Sequence, residues 1–145
     1  VVITVERKFT VAQPVEKIFD YLKDFTHTEQ WDPGTVSTTR LDAGPIVVGS
    51  RFANVSQFLG RKTELEYELR TMDVNAHLVF AGNNKSASTK DDLTMRSLGA
   101  TTEIRYLAEI KFHGLANLVS PLVQIPFNKI ADKTIAQLSQ VLAAL

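Results

Sequence analysis

The run Arg61–Thr71, RKTELEYELRT, alternates without a slip. Lys62, Glu64, Glu66, Glu68 and Arg70 fall on one side, and Thr63, Leu65, Tyr67, Leu69 and Thr71 on the other. Successive side chains of a strand point to opposite faces, so one face of this run is solvated and the other covered. A helix, turning about 100° per residue, would scatter the same residues round its surface. Residues Thr102–Phe112 repeat the pattern: Thr102, Ile104, Tyr106, Ala108, Ile110 and Phe112 fall inward, Glu103, Arg105, Glu109 and Lys111 outward. Turn signals at Ala43-Gly44-Pro45, Gly60, Asp73-Val74-Asn75, Gly82-Asn83-Asn84 and Gly99 divide Thr35–Phe112 into six such runs. That is an antiparallel meander.

A sheet with one apolar face needs a cover, and the two ends of the chain offer it. Residues 1–11 form another half-buried strand, with Ile3, Val5, Phe9 and Val11 inward and one oddity, Arg7, on the same side. After Pro14 the period changes: Val15, Ile18, Phe19 and Leu22 recur at helical spacing, and the helix ends near Asp24. The segment FTHTEQWDPG holds at most one further helical turn before Pro33 and Gly34 break it. From Gly114 a long apolar stripe runs through Leu118, Leu122, Ile125, Ile130, Thr134, Leu138, Val141 and Leu145. Pro121 and Pro126 kink or break its first half, which leaves a continuous helix from about Phe127. A chain of 145 residues suits a single domain, 1–145. The expected architecture is α+β: a seven-stranded antiparallel sheet wrapped around a long C-terminal helix, with two short helices between strands 1 and 2.

Several segments resemble the START-like helix-grip (SRPBCC) superfamily, in its polyketide cyclase/dehydrase-like branch. They are the opening VERKFTVAQPVEKIFDYLKDFTHTEQWDP, the VVGSRF before the third strand, the last strand Thr101–Phe112, and SPLVQIPFNKIADKTIAQLSQVL. The resemblance covers nearly the whole chain. It implies a deep apolar cavity between sheet and helix that takes a lipid, polyketide or quinone-like molecule. In some members the same cavity serves cyclisation or dehydration.

Inward positions supply the candidate ligand-binding wall: Phe52, Phe58, Tyr67, Leu69, Phe80, Met95 and Tyr106, with Leu118, Leu122 and Ile125 from the closing segment. Without a cavity these same residues fill a solid core. Trp31, the chain's lone tryptophan, either seats the second short helix under the sheet or touches the ligand. The polar groups Arg7, Asn54, Ser56 and Asp91 also fall inward, and a buried charge needs a partner. Arg7 and Asp91 either pair with each other or meet a polar ligand group. Arg7, Asp91 and Tyr106 are accordingly the candidate catalytic residues of a cyclase or dehydratase, where they would polarise a carbonyl and shuttle a proton.

Other classes are disfavoured. Sixteen basic and sixteen acidic residues cancel, so no global field draws nucleic acid. His27, His77 and His113 are isolated, no metal-ligand spacing occurs, and there is no cysteine. His113 remains open as a capping residue or a base at the cavity's end. No phosphate-binding glycine loop occurs, so no cofactor is expected. No run is apolar enough to span a membrane, and the lack of cysteine suits the cytoplasm. The missing initiator Met leaves the true start open. The partner expected is a small hydrophobic molecule, with the protein a monomer or weak homodimer. The alternatives are the enzyme described above and a protein-interaction module that uses the sheet edge.

Overall fold

The computed structural model describes residues 2–58, 60–114 and 124–145, with the side chain of Phe58 also outside the description. Strand β1 (Val2–Val11) leads into helix α1 (Val15–Leu22), a 3-10 turn (Phe25–His27) and the four-residue helix α2 (Thr28–Trp31). The meander follows as β2 (Thr35–Arg40), β3 (Arg51–Phe58), β4 (Arg61–Asp73), β5 (His77–Asn83), β6 (Ala87–Ser97) and β7 (Thr102–Phe112), and helix α3 (Gln124–Ala143) closes the chain. The strands form one seven-stranded antiparallel sheet in the order β1-β7-β6-β5-β4-β3-β2, which wraps α3 in the helix-grip arrangement. The expected architecture is therefore the observed one.

Two local departures occur. The described part of helix α3 runs from Gln124 and takes in Pro126, whereas the sequence places the continuous helix from about Phe127. On β4 the register shifts between Leu69 and Thr71, a bulge that reverses the parity beyond it. Met72, opposite Leu78, joins the core in place of the expected Thr71.

The concave face of the sheet is filled unevenly, and side-chain size explains why. At one end Phe52, Leu69, Leu78, Phe80, Leu93, Met95 and Ile104 project from β3 to β7 against α1, Phe25, Trp31, and Leu138 and Leu142 of α3. All of these side chains are buried, and Phe25 packs its ring on those of Phe80, Tyr67 and Phe52 at centroid distances of 4.4, 4.6 and 5.9 Å. Toward the other end the rows thin out. One row across the sheet reads Tyr67, Gly82, Thr89, Ile110 and Ile3, and the next includes Asp91, Ala108 and Val5. Glycine, alanine, threonine and aspartate cannot reach α3 as phenylalanine and leucine do. The space between is left open.

A buried polar chain fixes α2 against the sheet. Thr28 Oγ1 donates to the Phe25 carbonyl at 2.8 Å and lies 2.6 Å from Thr38 Oγ1, which also accepts from the Asn54 amide at 2.9 Å. Ser56 Oγ donates to Asn54 Oδ1 at 2.7 Å, so the inward Asn54 is satisfied structurally. This anchorage places Trp31 and Asp32 at the border between the filled and the open ends.

Candidate functional site

The open end is a cavity of about 370 Å³, within the range of small-molecule sites. Its apolar wall includes Ile3 and Val5 of β1, Leu65 of β4, Ala108, Ile110 and Phe112 of β7, and Phe127, Ile130 and Ala131 of α3. Thr134 also lines it, but its hydroxyl donates back to the Ile130 carbonyl at 2.9 Å, so that group is spent within the helix. The lining residues Pro33, Gln57 and Lys133 are exposed and mark where the cavity meets solvent.

Its polar pole is built by register. Asp91 stands opposite Ala108, and Tyr106 lies two residues before Ala108 on β7, the diagonal neighbour that a long side chain can reach. The Tyr106 hydroxyl donates to Asp91 Oδ1 at 2.9 Å. Burial pushes the Asp91 carboxyl from an ordinary 3.8 up to about 7, with the Tyr106 hydrogen bond opposing the rise and the charge of Asp32 adding to it. Burial likewise raises the Asp32 carboxyl, against the pull of the Gly34 N–H at 2.9 Å and the Thr35 hydroxyl at 3.1 Å. Tyr106 and Tyr67 are held well above their usual range, first by burial and then by the charge of Asp91. Thr89 Oγ1 is the polar neighbour of Tyr67, yet this buried oxygen has no partner in hydrogen-bonding geometry among the described residues.

Gly82 makes this pole possible. It sits inside β5 rather than in the turn that the Gly82-Asn83-Asn84 signal suggests, directly opposite Tyr67 on one side and Thr89 on the other. A Cβ there would lie 2.5 Å from Thr89 Oγ1 and 2.8 Å from two atoms of the Tyr67 ring. The tyrosine lies across the bare backbone, and only glycine leaves it room. A glycine within a strand pattern is the sequence signal for such an approach.

Of the sequence-predicted residues, Tyr67, Asp91 and Tyr106 come together in the cavity wall. Phe52, Leu69, Phe80 and Met95 do not; they face inward as expected but belong to the filled end. Trp31 is 2% exposed and packs edge-on against Tyr106 at 6.1 Å, one layer behind the wall. It is a seat. Arg7 departs further: it turns along the sheet edge to α3, where it bonds Asp132 at 2.9 Å and the Asn128 carbonyl at 3.4 Å, and it neither pairs with Asp91 nor lines the cavity. As a long side chain on edge strand β1, it reaches past the wall to solvent and a surface carboxylate. Ile125 is 57% exposed, because it lies six residues before Ala131 and so about 120° round the helix from the buried stripe. Leu118, Leu122 and the side chain of Phe58 lie outside the described residues. His113 bonds Ser88 at 2.6 Å, away from the cavity.

The family model described as polyketide cyclase / dehydrase and lipid transport matches residues 2–143. The chain belongs to that family. Solved structures share the fold at low sequence identity. A START superfamily protein from Mycobacterium smegmatis superposes with a TM-score of 0.79 at 13% identity, over 96% of each chain. The Zhui aromatase/cyclase from Streptomyces sp. R1128 gives 0.75 at 13% identity, over 99% of this chain and 93% of its own. A protein from Thermus thermophilus gives 0.79 at 15% identity, over 97% of each. No curated protein sequence matches. Among the described residues no helix is long and apolar enough to cross a membrane, and no three His, Asp or Glu side chains converge as a metal site needs.

Proposed function

We propose that the protein binds a small, largely apolar molecule in the cavity between the sheet and the N-terminal half of α3. The observation that carries this reading is the size gradient across the concave face: a core of this size would ordinarily be filled, yet small residues leave about 370 Å³ open beside a polar pole. Membership of a family described by lipid transport supports the ligand class. Native mass spectrometry of protein from its own source tests it. A non-covalent adduct of apolar character, lost on denaturation, is the expected result. Absence of any adduct, together with failure to bind the neutral naphthyl ketone dye prodan, overturns the reading.

One observation favours a second reading. A carboxyl near 7 that is held by a tyrosine hydroxyl can take and return a proton at neutral pH, which cyclisation or dehydration needs. Here Asp91 would be the acid–base group and Tyr106 would orient it. On this reading Asp91→Asn abolishes turnover of a polyketide-like substrate while prodan binding persists. Unchanged turnover rejects it.

A further inference from the structure

The acceptors and donors of the cavity are unequally supplied. Asp91 lines the cavity; its Oδ1 accepts from Tyr106, while Oδ2 accepts from no group among the described residues. The Tyr106 proton is already engaged by Asp91. The charged groups around Asp91 can be followed element by element. Asp32 faces the cavity from the chain after α2, while β4 and β7 contribute the neutral hydroxyls of Tyr67 and Tyr106. Glu109 of β7 turns its carboxylate outward to Lys90 at 3.8 Å. Among the described residues, the one lysine in the wall, Lys133 of α3, is exposed at the solvent end, and Arg7 is bound to Asp132. The described inner pole therefore holds two carboxyl groups and no cation.

We propose that the ligand of this cavity carries a hydrogen-bond-donating head directed at Asp91, a basic amine in preference to a hydroxyl, and that carboxylates are rejected. The inference rests on the ligand-binding reading above. An ammonium group entering an apolar space requires a counter-charge, and the free oxygen of Asp91 supplies one together with a charge-assisted hydrogen bond. A hydroxyl can donate to the same oxygen without the charge term. A carboxylate brings a third negative group beside Asp91 and Asp32, and the neutral hydroxyls of Tyr67 and Thr89 in the wall bring no positive charge to offset it.

The test uses three probes with one skeleton: 2-naphthylmethylamine, 2-naphthylmethanol and 2-naphthoate. Each is titrated calorimetrically into the intact protein at pH 8. The expected order is amine, alcohol, carboxylate, with the amine about tenfold tighter than the alcohol, as for a hydrogen bond to a charged group. Lowering the pH from 8 to 6 should weaken the amine about tenfold, since Asp91 passes from ionised to neutral near 7, and leave the alcohol nearly unchanged. Asp91→Asn should remove the amine preference at pH 8. The wild-type series needs no variant, so a misfolded variant leaves the test intact. Naphthoate binding as tightly as the amine, or an amine affinity that is flat between pH 6 and 8, overturns the inference while the ligand-binding reading stands. Failure of all three probes and of prodan overturns both.

Discussion

Replacing Gly82 by alanine adds one methyl group to the bare strip of backbone on which the polar pole rests. In an open strand position this change stabilises, by about 0.5–1 kcal/mol, because alanine loses less freedom on folding. Here the new carbon would stand 2.5 Å from Thr89 Oγ1 and 2.8 Å from the Tyr67 Cε1 and Cζ atoms. Ordinary contact requires about 3.5–4 Å, so the ring and the hydroxyl must each retreat by about 1 Å. The Tyr67 ring cannot retreat freely, since it packs on Phe25 at 4.6 Å. Overpacking of this kind costs about 1–3 kcal/mol. For a chain of this length that lowers the melting temperature by about 3–10 °C. Thermal unfolding followed by circular dichroism measures it, and Thr89→Ala, which removes the nearer of the two obstacles, should recover part of the loss in the double variant. A Gly82→Ala protein as stable as wild type, or more stable, would refute the close approach and with it the account of how the pole is built.

Two other outcomes follow from the placement of charges. Because the Asp91 carboxyl is raised from 3.8 to about 7 in the folded protein, the fold binds its proton more tightly than the unfolded chain does. Stability from this group is therefore full below about pH 4 and is lost as pH rises to about 7, by an amount on the order of a few kcal/mol at most. Asp91→Asn should accordingly gain on wild type in chemical denaturation between pH 5 and 8, and a constant difference across that range contradicts the burial argument. Arg7→Gln should leave prodan affinity within about twofold and cost no more than about 1 kcal/mol, since Asp132 is 69% exposed and such surface pairs contribute little. A large loss of binding in a dye titration would place Arg7 back at the cavity.

Strand parity made most of the sheet legible. It assigned Ile3, Val5, Tyr67, Asp91 and Tyr106 to the inner face, because a face covered along its whole length enforces one register. Parity treats each strand alone, however, and the cavity is a property of rows that cross strands. Leu69 and Tyr67 are both inward on β4, but only the latter stands beside a glycine and a threonine. The distinction appears only once Tyr67, Gly82 and Thr89 are aligned. Arg7 failed for a related reason: parity gives the direction in which a side chain leaves the sheet, not where a long one ends. Ile125 shares the apolar character of the stripe but not its helical phase relative to Ala131. Trp31 was resolved by its neighbours, since the Thr28–Thr38–Asn54 chain pins α2 and leaves the indole against Tyr106.

The most direct test of the account is whether filling the open end abolishes binding. Ala108 sits in the cavity wall between Val5 and Asp91, and Leu or Phe at that position would project into the space. Prodan fluorescence titrations on Ala108→Leu and Ala108→Phe should show affinity falling in step with side-chain size, by about tenfold or more for Phe, on the order of 1.4 kcal/mol, while circular dichroism reports an intact fold. Undiminished binding to a folded Ala108→Phe protein would contradict the claim that this cavity is the ligand site.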